Sequence, residues 1–335
     1  MTNLRKDRLQ VLLEGAAKAT VAVIGDVMLD RYFWGSVSRV SPEAPVPVVD
    51  VDDESFHLGG AANVAANLLS LGATPLLCGV VGDDGMGRIL RQTALEQGLD
   101  AAGLVVDSER PTTVKTRIIG NNQQIVRLDR EQRHAVSQRV ANVVLDVLEQ
   151  QTHLGAIILE DYNKGMLTSD LITRVMLIAA QRNVPVFVDP KKEHFFSFKG
   201  AFLMKPNRKE AEEALGVTLR SADHIRHAAV ELLQRLAAEN VLITLGAEGM
   251  ILVERSGETS SVPTVARKVA DVSGAGDTVI ATLAAMVAAG ASVREAATIA
   301  NVAAGIVVAE PGIVAVRPQQ LIEALADFDA TEEST

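Results

Sequence analysis

The chain has 335 residues, of which 48% are apolar, with a formal net charge of −10 and a single cysteine. Such an apolar content, punctuated regularly by Gly and Pro, describes a folded chain of one large domain or two and not a disordered one. The negative balance argues against general nucleic-acid binding and confines any anion site to a local pocket, while Cys78 alone excludes an internal disulfide or a cysteine metal cluster and reads as a core residue.

Met1 to Gln10 are charged and lack the apolar centre of a signal peptide, and the Ala/Val-rich stretch from Thr278 is broken by Gly290, Arg294 and Glu295. No segment is therefore expected to span a membrane, and a cytoplasmic protein is expected. Val21–Ile24 reads as the buried first strand of a parallel sheet ending at Gly25-Asp26, so Asp26 and Asp30 fall at the strand end where ligands bind in open α/β sheets. No Gly-x-Gly-x-x-Gly follows this strand, which weakens a dinucleotide reading. Pro42, Pro45 and Pro47 forbid a helix across 41–51 and suit an edge strand or lid. Two β-rich runs, Thr113–Ile119 and Gln124–Leu128, flank Gly120-Asn121-Asn122-Gln123 as a hairpin. Together, segments 31–57 and 112–129 are expected to form a small β-sheet lid that excludes water from a reactive phosphate.

Leu58-Gly59-Gly60-Ala61-Ala62-Asn63 opens a helix to about Leu71, with Asn63 either a local capping residue or a hydrogen-bonding partner of a sugar hydroxyl. A strand over Pro75–Val81 and a helix over about Arg88–Gln97 follow. From Ser137 helices and strands alternate: a helix to Gln151, a strand Ala156–Glu160, a helix Ser169–Gln181 and a strand Val184–Val188. The polar clusters after the two strands hold Lys164, Lys191 and Lys192, which are either solvated surface or ligand contacts. Lys205-Pro206-Asn207-Arg208-Lys209-Glu210 starts a helix to Leu215; Asn207 and Glu210 have the spacing of a cap with its reciprocal partner, or of oxygen ligands holding water around Mg²⁺. Val241–Leu245 and Ile251–Glu254 are strands about a glycine-bounded turn along which a nucleotide could lie. Helices Thr278–Ala289, Val293–Val308 and Pro318–Ala326 close the chain, and residues 327–335 are expected to be a disordered tail. No linker separates two independent domains, so residues 1–326 are read as one.

Asp271-Val272-Ser273-Gly274-Ala275-Gly276-Asp277 carries the chemistry. Small residues at a helix start let a phosphate reach unpaired backbone N–H groups, and Asp277 is either an acid favoured by the helix dipole or a general base.

Gly-Gly-Ala-Ala-Asn from Gly59, Pro-Asn-x-x-Glu from Pro206 and Asp-Val-Ser-Gly-Ala-Gly-Asp from Asp271 occur in order, and with them the chain from about Val21 to Ala326 resembles the ribokinase-like (PfkB) carbohydrate kinases. The segments from Gly25, Arg39, Lys115 and Asn122 are similar to the kinase half of the ADP-heptose synthases. The resemblance implies a three-layer α/β/α fold with a mostly parallel sheet, and ATP-dependent phosphorylation of D-glycero-β-D-manno-heptose 7-phosphate at O1. It also implies Mg²⁺ and a monovalent cation such as K⁺. By position it makes Asp277 the base and Gly274, Ala275 and Gly276 the anion hole. Asp30, Gly59, Gly60 and Asn63 match sugar-binding positions; Asn207 and Glu210 match the Mg²⁺ motif; Thr244, Gly246, Gly249 and Asn301 line the nucleotide site; Asp271 lies by a monovalent-cation loop. Arg117, Lys164 and Lys191 are chosen by charge for the distal phosphate.

Ser273 replaces the commoner Thr and keeps the hydroxyl, whereas Ile313 after Gly312 removes one. The His-x-Gly-His motif of the nucleotidyltransferase half is missing from this sequence, so kinase activity alone is expected, with nucleotidyl transfer by another polypeptide or a segment outside this chain. A homodimer joined through the lids is expected, because an exposed apolar edge strand is a hazard unless covered. The rival readings are a kinase of the same family for another sugar, and a non-catalytic sugar or nucleotide sensor.

Overall fold

The apolar run at Val21 becomes a strand buried on both faces, and the rest of the architecture is arranged around it. The computed structural model describes residues 5–266 and 269–332. Helix α1 (Lys6–Ala16) leads into β1 (Thr20–Gly25), and the chain then departs from the core as a long antiparallel pair, β2 (Val27–Val40) and β3 (Pro47–Gly60). It returns through α2 (Ala61–Ser70), β4 (Thr74–Gly82), α3 (Gly85–Glu96) and β5 (Leu104–Asp107), and leaves again as the hairpin β6 (Val114–Gly120) and β7 (Gln123–Arg130). Alternation follows: α4 (Gln138–Gln150), β8 (Ala156–Glu160), α5 (Ser169–Arg182), β9 (Val186–Asp189), β10 (Leu203–Met204), α6 (Arg208–Leu215), α7 (Ala222–Leu236) and β11 (Asn240–Thr244). The chain continues with β12 (Met250–Glu254), β13 (Thr259–Val262), α8 (Ala275–Ala288), α9 (Val293–Val307) and α10 (Pro318–Glu332).

The main sheet has nine strands in the order β13-β12-β11-β10-β9-β8-β1-β4-β5, parallel except where β12 runs against both neighbours. Helices α1, α2, α3, α8, α9 and α10 bury apolar side chains on one face, and α4, α5, α6 and α7 on the other, giving the expected three layers. The second sheet, β3-β2-β6-β7, is built from the two expected lid segments. Its β7 is exposed along its whole length, and Trp34, Val40, Val51, Ile125, Val126 and Leu128 are exposed apolar side chains of this sheet. No helix among the described residues is long and apolar enough to cross a membrane.

Most expected elements lie within a few residues of their observed bounds. Helix α3 begins three residues before the expected Arg88, because the Asp84 side chain accepts from the Gly87 N–H and caps it there. Helix α10 runs past Ala326 to Glu332; residues 333–335 of the expected tail lie outside the described residues. Elements α1, β5, α7 and β13 stand where none was expected. The α7 signal was nevertheless present: Ser221 caps it, and Ile225, Ala228, Ala229, Leu232, Leu233 and Leu236 form a helical stripe. Strands β5 and β13 are four residues each, too short for a period to show, and their pairing with β4 and β12 defines them.

Candidate active site

The parallel strands bring three charged side chains into a row. Register sets Glu160 beside Asp189 and Met204 beside Val188, so Lys205, the next residue, follows Asp189 at the carboxyl edge of the sheet. Ile158 and Phe187 share the apolar core with α8; with a side-chain period of two, Glu160 and Asp189 point the same way, toward that helix. Lys205 Nζ lies 2.7 Å from Asp189 Oδ2, and Lys191 Nζ lies 3.7 Å from Oδ1. Carboxylate oxygens of Glu160, Asp189 and Asp277 lie within 4.8 Å of one another, close enough for one cation, and the cation this chain supplies there is the Lys205 ammonium.

Asp277 stands in the first turn of α8, above this row. The turn before it is made by Gly274, left-handed at φ 78°, where a Cβ would come within 2.8 Å of Asn63 Nδ2. Ala275 turns its N–H back to the Val272 carbonyl at 3.3 Å, whereas Gly276 is exposed and the place of its missing Cβ lies 3.5 Å from Lys205 Nζ. A buried ammonium thus backs the open backbone of the expected anion hole. Ile313, where a hydroxyl is absent, reaches the same turn, its Cγ2 being 3.6 Å from that of a Cβ at Gly274.

The Asp277 carboxylate is buried and held at both oxygens: Asn63 Nδ2 donates to Oδ2 at 2.7 Å and the Tyr162 hydroxyl to Oδ1 at 2.9 Å. Burial pushes its pKa up to about 6, against the two hydrogen bonds that favour the charged form. Asn63 does not cap α2, whose cap is Gly60; one of its amide hydrogens orients the acid. Asn67 Nδ2 donates to Asn63 Oδ1 at 3.3 Å, and Thr278 Oγ1 donates to Asn67 Oδ1 at 2.9 Å, closing a chain of bonds between α2 and α8.

Toward the lid, a Cβ at Gly59 would meet Asp30 Oδ2 at 2.4 Å, so the glycine leaves the acid its place beside this strand. Gly60 is left-handed beside it, and Arg117 of β6 pairs with Asp30 and lies over the Tyr32 ring, 5.2 Å from its centroid. Asp26, expected beside a substrate, is instead a buried frame for the next loop, accepting the N–H groups of Tyr162, Lys164 and Met166 at 2.8, 2.9 and 3.0 Å. Each of the three cations chosen for a distal phosphate is paired with a different acid. Lys164 Nζ donates to Glu131 at 2.7 Å, Lys191 pairs with Glu210, and Arg117 alone stands at Asp30.

The expected nucleotide side gathers at the other end of the row. Asn207 and Glu210 form a reciprocal cap on α6, with Asn207 Oδ1 accepting at 2.9 Å and Glu210 Oε2 accepting at 2.8 Å. Asn207 pairs with Thr244 through an isolated parallel bridge, which brings the α6 cap to the end of β11. Gly246 faces open space, whereas Gly249 is structural, since a Cβ would meet the Val262 carbonyl at 2.1 Å. Asn301 spends its amide on the Pro263 carbonyl at 2.7 Å and holds the segment after β13. Asp271 Oδ1 accepts the Ser273 N–H at 2.8 Å, shaping the loop into the glycine turn.

Glu160, Tyr162, Asp189 and Lys205 belong to this site and were not singled out individually. Tyr162 and Asp189 lay inside polar clusters flagged at strand ends, a usable signal; Glu160 closed an apolar run and Lys205 preceded a stronger motif.

The model of the pfkB family carbohydrate kinases matches residues 18–320. A bifunctional protein HldE from Trichlorobacter lovleyi is 44% identical over 316 residues, which cover 94% of this chain and 64% of that protein. One from Pelobacter propionicus is 46% identical over 309 residues, covering 92% and 63%. The chain therefore spans just under two thirds of the length of these relatives. Among solved structures, the tetrameric inhibited form of phosphofructokinase-2 from Escherichia coli superposes with a TM-score of 0.76 at 17% identity, over 93% of this chain and 99% of that one. Arabidopsis thaliana ribokinase complexed with ribose and ATP does so with 0.71 at 20%, over 92% and 98%. These two share the fold. With the motifs assembled at one sheet edge and the family match covering most of its length, the chain belongs to the pfkB family of carbohydrate kinases.

Proposed function

We propose that this chain transfers the γ-phosphoryl group of ATP to O1 of D-glycero-β-D-manno-heptose 7-phosphate, giving the 1,7-bisphosphate used for ADP-heptose and the lipopolysaccharide inner core, in the cytoplasm. The observation that carries the reaction type is Asp277, buried, held at both oxygens and set beside the open Gly276 backbone. The choice of heptose is supported by the likeness to the HldE proteins and by the lid segments that resemble the same group. A non-catalytic sensor would have no use for so placed a base.

In this reading the sugar hydroxyl takes the place of the Tyr162 hydroxyl at Asp277, which removes its proton as the oxygen attacks in line. The exposed Gly276 backbone and the Lys205 ammonium hold charge on the transferring group, with Gly274 and Ala275 shaping the turn. Glu210 and Asn207 would hold Mg²⁺ through water, because a carboxylate and an amide oxygen stand together at a cap next to the row; bound there, it would offset charge on the nucleotide phosphates. Thr244, Gly246, Gly249 and Asn301 line the nucleotide, and Asp271 belongs to a K⁺ loop. Asp30, Gly59 and Gly60 receive the sugar.

Arg117 is the cation best placed for the distal phosphate, since it stands at Asp30 itself. With ATP and Mg²⁺, turnover of heptose 7-phosphate should exceed that of fructose 6-phosphate, ribose and adenosine, and Arg117→Ala should raise KM for the phosphorylated sugar by about 10–100-fold, the worth of a charged hydrogen bond. Preference for a neutral sugar would overturn the substrate assignment.

A homodimer closed through the lids is supported by the exposed Trp34, Val51, Ile125, Val126 and Leu128. Sedimentation at micromolar concentration should show a dimer; a monomer alone would sink this part.

A further inference from the structure

Glu160 is the one acid of the row that the mechanism above leaves without a task. It is fully buried, and neither of its oxygens meets a hydrogen-bond donor among the described residues. A carboxylate so placed would have lost water without gaining a partner, beside two further carboxylates within 4.8 Å. Lys205 is committed to Asp189 at 2.7 Å, and Lys191 stands 3.7 Å from the same residue while pairing with Glu210. On its other flank β1 offers only Gly25, where a Cβ would collide with the Glu160 carbonyl at 2.1 Å. The bond left to Glu160 is one in which it is the donor, and Asp189 is its neighbour in register.

We propose that Glu160 is a positioning residue that works as the neutral acid: its carboxyl proton is donated to Asp189, which in turn holds the Lys205 ammonium under the Gly276 backbone. The directions of titration agree. Burial, then the charges of Asp189 and Asp277, push Glu160 well above the ordinary carboxylate range. Asp189 is held below it in spite of burial, by the charges of Lys205 and Lys191 and the hydrogen bond from Lys205. The groups facing Glu160 are thus Asp189 at the end of β9 and Lys191 after it, Lys205 after β10, Asp277 of α8 and Tyr162 in the loop after β8, with Glu210 of α6 beyond Lys191. Ionising Glu160 would add a second negative charge for Lys205 to serve and would draw the ammonium away from Gly276.

The inference deepens the kinase reading and rests on it for its kinetic arm alone. Wild type, Glu160→Gln and Glu160→Ala are compared in two measurements. In the infrared difference spectrum between wild type and Glu160→Gln at neutral pH, a protonated-carboxyl band is expected in the wild type; carboxylate bands in its place overturn the proposal whether or not any sugar is turned over. In kinetics, Glu160→Ala should lower kcat by about 10²-fold, the scale of a displaced catalytic group, with a smaller change in KM for the sugar. Glu160→Gln, which keeps a donor and cannot ionise, should recover most of that loss and lose the alkaline limb of the wild-type kcat profile. Equal loss in both variants, with melting temperatures near wild type, overturns the positioning role. Failure of every sugar with a protonated-carboxyl band present would refute the kinase reading and leave the protonation of Glu160 established.

Discussion

Replacing Asp277 by Asn is expected to lower kcat by about 10²–10⁴-fold, the usual contribution of a general base. The substitution is nearly isosteric: its carbonyl oxygen can still accept from Asn63, and its amide can donate to the Tyr162 hydroxyl oxygen, so the fold should persist. The wild-type pH profile supplies an independent check. Burial raises the Asp277 pKa to about 6, and a base works only when deprotonated. kcat/KM should therefore fall as pH drops through about 6 and be level above it until other groups titrate. The Asn variant should lack that acidic limb. Near-normal turnover in Asp277→Asn, with circular dichroism unchanged, would remove the base assignment and leave the residue as a helix-start acid.

Replacing Lys205 by Met should be the most destabilising single change in the site. The Met side chain fills much of the same space, so the loss is of charge: Asp189 is left buried with Lys191 at 3.7 Å as its nearest remaining cation, and Glu160 beside it. Breaking a buried pair by removing one partner costs about 3–5 kcal/mol. Urea unfolding should show a lowered midpoint at unchanged slope, and kcat should fall because the ammonium backing Gly276 is gone. A midpoint equal to wild type would mean that water screens this pair and that the row is not the dry cluster described above.

The Asn207–Glu210 cap, the Gly120–Gln123 hairpin turn and the burial of Val21–Ile24 were readable because each depends on neighbours within a few positions. Asp277 and its glycine turn were readable for the same reason: a helix start with small residues is a local event. The partners of Asp277 were not. Asn63 is separated from it by 214 residues and Tyr162 by 115, and only the packing of α2 and of the loop after β8 against α8 brings them together. The bond of Asn63 to Asp277 is accordingly not legible in the sequence. The partners of Asp26 are equally distant along the chain. A strand end faces ligands on average, but this one is covered by three N–H groups from the loop 162–166.

The sequence by itself thus determined the layers, the family and the acid proposed as the base, because periodicity, caps and ordered motifs are written in short stretches. The tertiary structure decided the electrostatics. Strand order sets Glu160, Asp189 and Lys205 side by side, although they lie in three separate segments of the chain. Burial beneath α8 then turns these ordinary charged residues into a coupled cluster, since charges interact strongly only where water is excluded. No pattern along the chain encodes that exclusion; it arises when the helix closes over the sheet.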